Sequence, residues 1–258
     1  MEIRIVPHNV SYERVARLNK YAIILLYTST LLSIGISMLG YFNLLTDLKT
    51  VLIVLNSMFI FGYVFLDNRA KYLFTKVEMK RRLDWLDNSF GTNFSGKKSK
   101  NYFTNEHLSP GIYKLAVNCF ENSFHTQFII SKMLPVKITQ TIIIVLIFIC
   151  SAYIGNRELV RLLFELPLPV ILIQKLLKAI FFSSRMMEVH DRFKLLFNDL
   201  MQFGFENKTA EALRDIVEYE TAISWASTPL NSKIFWKYKD QLEADWNELK
   251  KEYKIQPQ

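Results

Sequence analysis

The stretch Asn101–Lys132, NYFTNEHLSPGIYKLAVNCFENSFHTQFIISK, lies between two pairs of long apolar runs. Within it, Ser109-Pro110 is a helix start signal, because proline is favoured in the first turn of a helix. A long helix is therefore predicted from Gly111 to Met133, and Pro135 is expected to break it. The aromatic residues of this helix recur at helical spacing, so most of them are expected to be core residues.

The apolar runs on either side decide the class of protein. The chain has 258 residues and is 50% hydrophobic, and a membrane-spanning helix needs about 20 apolar residues. The first run begins at Tyr21 and is too long for a signal-peptide core, so it is interpreted as a retained span. Glycine and proline are scarce, with eight and seven residues. The sequence therefore predicts an all-α, polytopic membrane protein with two transmembrane hairpins.

The predicted organisation has five parts, which alternate between polar and apolar composition. They are a basic cytosolic N-terminus (1–20), a first transmembrane hairpin (21–66), a basic helical cytosolic segment (67–137), a second hairpin (138–182) and a helical cytosolic tail (183–258). Lysine and arginine concentrate outside the short turns of the hairpins. By the positive-inside rule, both termini and the middle segment are expected in the cytoplasm.

The second half of the second hairpin, residues 159–182, is unlike an ordinary span. It contains Arg161, Glu165 and a Leu-Pro-Leu-Pro sequence. Charges at membrane depth need partners or water, and prolines remove backbone hydrogen bonds. Two interpretations remain open: a broken span that lines a wet pathway, or a short re-entrant segment followed by an amphipathic helix.

Polar residues also occur inside the other apolar runs. Ser29, Ser33 and Ser37 recur every four residues on one helix face, which would let a second helix approach closely. Asn56 lies near the middle of the second run, where it either hydrogen-bonds another helix or faces a pore. The candidate pore-lining residues are Asn56, Gln140 and Glu165.

The middle segment carries most of the net positive charge. Residues 67–137 contain twelve lysines and arginines against six acidic residues, in a chain of net charge +8. Cations of this kind attract phosphates, and the interleaved aromatic residues can stack on bases. The expected ligand is a nucleotide or short single-stranded oligonucleotide. The candidate ligand-binding residues are Lys80, Arg81, Arg82, Lys97, Lys98, Lys100 and Tyr102. The alternative is that these charges only fix topology or touch anionic lipid.

The last predicted helix has a coiled-coil-like seam, with apolar residues spaced by three and four from Phe235 to Tyr253. Such a seam packs either within one subunit or between copies of the chain. Leu242, Trp246 and Leu249 are the candidate residues for homo-oligomerisation.

Motifs for catalysis are not found in the sequence. The four histidines form no paired metal motif, and no Walker, Rossmann or G-x-S-x-G pattern occurs. Glu121 and His125 form an i, i+4 pair that is interpreted as structural. The chain is therefore expected to have no enzymatic activity, no metal and no cofactor.

The order of two spans, a basic middle, two spans and a helical tail resembles the SMODS-associated four-transmembrane effectors. The segments RRLDWLDNSFG (81–91) and NYFTNEHLSPGIYKLAVNCFENSF (101–124) are most similar to that family. The resemblance implies a pore-forming effector of bacterial antiphage defence in the inner membrane. It also implies a nucleotide or short single-stranded DNA signal made by a partner nucleotidyltransferase. Residues 159–182 depart from the family's pattern of four ordinary spans.

Three functions follow from these observations. The first is a ligand-gated, homo-oligomeric channel that depolarises the membrane. The second is a small-solute transporter, although the two hairpins show no obvious internal repeat of the kind that transporters carry. The third is a non-conducting membrane scaffold that recruits partners through its tail.

Overall fold

The computed structural model describes residues 7–41, 46–97, 99, 104–154 and 167–256. All regular secondary structure in these ranges is helical, which confirms the all-α prediction for this part of the chain. The helices are α1 (Asn9–Tyr41), α2 (Thr46–Phe90), α3 (Ile112–Ile154), α4 (Pro167–Phe203), α5 (Thr209–Ala226), α6 (Ser232–Lys237) and α7 (Lys239–Glu252), with a 3-10 turn at Glu206–Lys208.

The chain divides into two compact units. The first unit comprises Met1–Tyr12, Phe74–Leu134 and Ala179–Gln258, and the second comprises Glu13–Leu73 and Pro135–Lys178. Each of the four long helices therefore contributes residues to both units.

The first unit has an aromatic core centred on Phe120 of α3. The Phe120 ring stacks on Phe197 of α4 at 5.1 Å between centroids and meets the Trp246 ring of α7 edge-on at 5.3 Å. Helix α5 adds buried side chains that include Ile216 and Tyr219. Full burial of a phenylalanine side chain stabilises a fold by about 1.5–3 kcal/mol. The core therefore explains why these apolar residues recur at helical spacing.

The second unit has a smaller core and an apolar exterior. Buried Ala22, Leu26, Tyr63 and Leu172 pack together. By contrast, its most exposed large side chains include Phe61, Phe65, Leu31, Met58 and Val51, which are 62% to 74% exposed. Water penalises so much exposed apolar surface, whereas lipid tails do not.

Three described helical stretches are long and apolar enough to cross a membrane: Asn9–Ile36, Leu48–Phe90 and Ile112–Ile147. They overlap the predicted spans that begin at Tyr21, Thr50 and Ile138. The predicted fourth run lies partly outside the described residues, which resume at Pro167 in α4. The described residues thus contain three membrane-spanning candidates, and the fourth predicted span stays a prediction.

Pro135 does not break the helix, which corrects the expectation from sequence. Helix α3 continues through it from Ile112 to Ile154. Proline removes one backbone hydrogen bond. Ending the helix at this point would leave several carbonyls without a partner beside an apolar segment, and that costs more.

The predicted tail seam is divided between two helices. Helix α6 ends at Lys237 and α7 begins at Lys239. Between them, the backbone N–H of Tyr238 donates to the carbonyls of Ile234 and Phe235. The bond to Phe235 is of the tighter 3-10 type, which local sequence spacing does not reveal.

Candidate functional site

Asn56 forms the buried polar contact between α1 and α2 in the second unit. Its side-chain carbonyl accepts a hydrogen bond from Ser29 Oγ at 2.6 Å, and its amide donates to Ser33 Oγ at 2.9 Å. All three side chains are buried. The asparagine therefore packs against the face of α1 that carries the serines, as expected where polar groups join two membrane helices.

The polar atoms of Asn56 are thus used between two helices of one subunit, which agrees with the first of the two alternatives for this residue. A pore-lining role of Asn56 stays a prediction. Gln140 is exposed on α3, and it shares no hydrogen bond with Asn56. Glu165 lies outside the described residues. A pore-lining role for Gln140 and Glu165 stays a prediction.

Arg81 and Arg82 converge on one carboxylate of the first unit. Arg81 donates to Glu220 on α5 at 2.7 Å and to Glu78, one turn earlier on α2, also at 2.7 Å. Arg82 contacts the other oxygen of Glu220 at 2.5 Å and also donates to Ser224. The two arginines therefore join α2 to α5.

This ion-pair network bears on the predicted ligand site. A phosphate at Arg81 or Arg82 would have to compete with Glu220 for the same guanidinium groups. Lys80 and Lys97 are exposed, whereas Lys98, Lys100 and Tyr102 lie outside the described residues. Ligand binding by these seven residues stays a prediction, with Lys80 and Lys97 as its accessible described members.

The loop that carries Lys97 is folded back onto the end of α2 by Asp87. That carboxylate accepts hydrogen bonds from the hydroxyls of Thr92 and Ser95 and from the backbone N–H groups of Phe94 and Ser95. Burial alone would raise the pKa of Asp87, but hydrogen bonds from Ser95, Phe94 and Thr92 lower it to about 2. Asp87 is therefore a charged anchor for this loop at neutral pH.

Two further features shape the same loop. Asp84, one helical turn before Asp87, accepts hydrogen bonds from the backbone N–H of Ser99 at 2.8 Å and from its hydroxyl at 2.5 Å. Gly91 ends α2 with φ of 71°, and its N–H donates to the carbonyl of Asp87. Glycine suits this left-handed position at a helix end. Two buried carboxylates and one glycine thus fix the conformation of the loop that carries Lys97.

A second buried network joins the stretch before α3 to α3 itself. Glu121 accepts hydrogen bonds from Thr104 and Asn105, and Asn105 also donates to Asn118 at 3.0 Å. Burial raises the pKa of Glu121, while the bonds from Thr104 and Asn105 oppose that rise. Since these bonds tie a loop to a helix, the structural interpretation of Glu121 is supported.

Leu242 and Trp246 are fully buried in the first unit, and Leu249 packs against its core. Their apolar surface is therefore covered within the subunit, and a role of these residues in homo-oligomerisation stays a prediction. Of the two alternatives left open by the seam, the structure has the internal one.

The residues that sequence reasoning missed are the acidic partners Glu78, Asp84, Asp87 and Glu220. A signal for Asp87 was present, since an aspartate shortly before Gly91 and Thr92 is typical of a turn capped by a side chain. Glu220 had no such signal, because it lies more than a hundred residues from its arginines.

Within the described ranges, no group of three or more histidine, cysteine, aspartate or glutamate side chains could hold a metal ion. The chain was also compared with protein-family models, with curated proteins and with solved structures, and none of them matches it.

Proposed function

We propose that this chain is a membrane effector gated by a nucleotide or a short single-stranded oligonucleotide. In this proposal, the second unit inserts into the bacterial inner membrane and several copies assemble into an ion-conducting pore. The first unit is a cytosolic receiver that binds the signal without catalysis. Opening of the pore depolarises the host membrane as part of antiphage defence.

The observation that carries the proposal is the contrast between the two units. The first unit has a buried aromatic core, whereas the second exposes large side chains such as Phe61 and Leu31. A membrane-embedded part joined to a packed helical part suits a protein that couples a signal to the bilayer. A homo-oligomer is required because three or four thin spans do not enclose a pore alone.

The receiver role is supported by the loop that Asp84 and Asp87 hold. Asp84 and Asp87 accept hydrogen bonds from backbone N–H groups of the loop, so exposed Lys97 lies on a turn whose conformation is fixed. Such preorganisation lowers the entropic cost of binding a phosphate. Neighbouring Lys98 and Lys100 add charge in the sequence.

Ion flux from liposomes tests the proposal. Purified full-length protein is reconstituted with a fluorescent dye for membrane potential, and cyclic dinucleotides and short single-stranded DNA are added in turn. Depolarisation that depends on one ligand class supports the proposal. Absence of conductance both with and without every nucleotide overturns it and favours the scaffold.

A charge-reversal variant tests the receiver. Lys97, Lys98 and Lys100 changed together to Glu should abolish ligand binding and gating. The matched control changes Lys233, Lys237 and Lys251 to Glu, which carries the same charge change in α6 and α7. Binding and gating that survive in the first variant would remove the loop from the proposed site.

The salt dependence of binding separates the two ligand classes. Each phosphate neutralised on a single strand steepens the log–log slope of affinity against salt by about 0.7. A slope of several units indicates an oligonucleotide that contacts many charges, and a slope near one indicates a small nucleotide.

A further inference from the structure

The second unit contains a group of four lysines drawn from three helices. Lys71 belongs to α2, Lys137 to α3, and Lys175 and Lys178 to α4. Lys175 and Lys178 are three residues apart and therefore share one face of their helix. The group is not part of the nucleotide site proposed above, and its positive charge has no role in that proposal.

One buried carboxylate organises these lysines. Asp67 is 7% exposed, and its two oxygens accept from Lys71 at 2.6 Å and from Lys175 at 2.9 Å. The Lys175 ammonium also lies over the Tyr63 ring, 5.0 Å from its centroid. Lys175 is thus fixed by an ion pair and by an aromatic face, which preorganises its charge.

The other two lysines add positive charge to the group. The charge of Lys137 is repelled by that of Lys175, and the charge of Lys178 is repelled by Lys71 and attracted by Asp67. Four lysines around one aspartate leave a local excess of positive charge. Half-buried Lys137 forms no ion pair or hydrogen bond with a carboxylate of the described residues.

The position of the group along the helices indicates which anion it meets. Asp67 directly follows the apolar run that ends at Leu66, and Lys137 directly precedes the run that begins at Ile138. The lysines therefore mark the end of the apolar runs, where lipid headgroups lie. One turn before Asp67, Val64 and Phe65 are 44% and 70% exposed and would meet acyl chains.

We propose that Lys71, Lys137, Lys175 and Lys178 bind the phosphate of an anionic phospholipid, with Asp67 holding Lys71 and Lys175 in place. Basic clusters between membrane helices at the cytoplasmic interface are suited to anionic headgroups. The same chemistry would accept a soluble phosphate, so the test separates the two sources.

Lipid retention by the full-length protein in detergent is measured by native mass spectrometry. Phosphatidylglycerol and phosphatidylcholine of equal chain length are offered together. The wild-type chain should retain the anionic lipid preferentially, and Lys137→Gln/Lys178→Gln should lower that preference about twenty-five-fold, because each lysine near the surface contributes about fivefold. The matched control is Lys233→Gln/Lys251→Gln, which should leave it unchanged.

Two further arms decide the interpretation. Lys137→Arg/Lys178→Arg keeps the charge and should keep the preference, which distinguishes lost charge from a misfolded variant. Soluble glycerol phosphate, offered at the same concentration as the lipid, should not displace it. Equal retention of the two lipids by the wild-type protein overturns the proposal. Displacement by glycerol phosphate overturns the lipid assignment and indicates a soluble phosphate ligand. Neither outcome depends on nucleotide gating, which the flux measurement tests separately.

Discussion

Individual buried polar residues in this protein form hydrogen bonds or ring contacts with the residues around them. Asn56 uses both ends of its amide on serines of α1, within an apolar unit. His190 lies in the core of the first unit, with its ring tilted against Phe120 at 5.3 Å and its Nδ1 3.4 Å from Ser123 Oγ. Each residue gives a measurable prediction.

Asn56→Leu should destabilise the protein, because the change removes two hydrogen bonds and leaves two buried serines without that partner. Hydrogen bonds between membrane helices contribute about 0.6 kcal/mol on average and up to about 1.7 kcal/mol. The loss of stability should appear when the protein is unfolded with SDS and its helix content is monitored by circular dichroism. Ser57→Ala is the control, because the Ser57 hydroxyl donates to the carbonyl of Ile53 on its own helix. Equal stability of the two variants would contradict the role of Asn56.

His190 should make the stability of the first unit depend on pH. Burial, with a smaller contribution from Lys194, lowers the pKa of His190 from 6.5 to about 4. As pH falls, the unfolded chain binds this proton near pH 6.5 and the folded chain only near pH 4. The folded state is therefore destabilised across that interval, by roughly 3 kcal/mol in all.

The variant His190→Gln should flatten this part of the pH profile of the unfolding free energy. The measurement is chemical denaturation in detergent at about pH 7 and about pH 4, taken as the difference between variant and wild type, so that the carboxylates cancel. His107→Gln, at an exposed position, should keep the wild-type profile. An unchanged profile in His190→Gln would assign the acid sensitivity to other groups.

At the scale of elements, ion pairs and loop anchors hold helices together that are distant in sequence. Glu220 on α5 binds two arginines of α2, and Asp87 at the end of α2 holds the following loop. Both carboxylates act on several donors at once, so their removal affects more than one contact.

Glu220→Gln should weaken the joint between α2 and α5. The side chains of Arg81 and Glu220 are only 14% and 16% exposed, so loss of the carboxylate leaves a largely buried charge with one remaining acidic partner. Removing one member of such a pair costs on the order of 3 kcal/mol. Thermal unfolding should show the loss. Glu188→Gln breaks the more exposed pair with Arg185, and should cost less than about 1 kcal/mol.

Asp87→Ala should release the loop after α2. The carboxylate accepts four hydrogen bonds, and bonds to charged groups contribute about 1.5–3 kcal/mol each. Trypsin cleavage after Lys97 should therefore accelerate more than tenfold in the folded protein, as followed by mass spectrometry. Asp191→Ala, at an exposed aspartate, should leave the rate unchanged. Equal cleavage rates would show that the loop is held by other contacts.

At the scale of the whole molecule, the distribution of charge gives an expected orientation. The basic middle segment and both termini should lie in the cytoplasm. A reporter fused after Lys97 should therefore read cytoplasmic, and a reporter at Asp47 should read periplasmic. The reverse pattern would overturn the charge argument, and the proposed access of a cytosolic signal to the loop would fail with it.

The sequence by itself determined the helices and the apolar runs. Hydropathy and helical periodicity are local properties, so the spans beginning at Tyr21, Thr50 and Ile138 and the helix after Ser109-Pro110 were predictable. Pro135 was a local error of the sequence prediction, because the cost of ending a helix next to an apolar segment exceeds the cost of one missing hydrogen bond. The break of the tail helix at Tyr238 was a second one.

Only the tertiary structure decided which polar groups meet. Asn56 joins α1 to α2, Arg81 and Arg82 share a carboxylate about 140 residues away in the chain, and Trp246 is covered within the subunit. The spacing of residues along the sequence indicates which face of a helix each of them occupies. The partner of that face depends on how the helices pack, because burial and ion pairing are set by distance in space and not by distance along the chain.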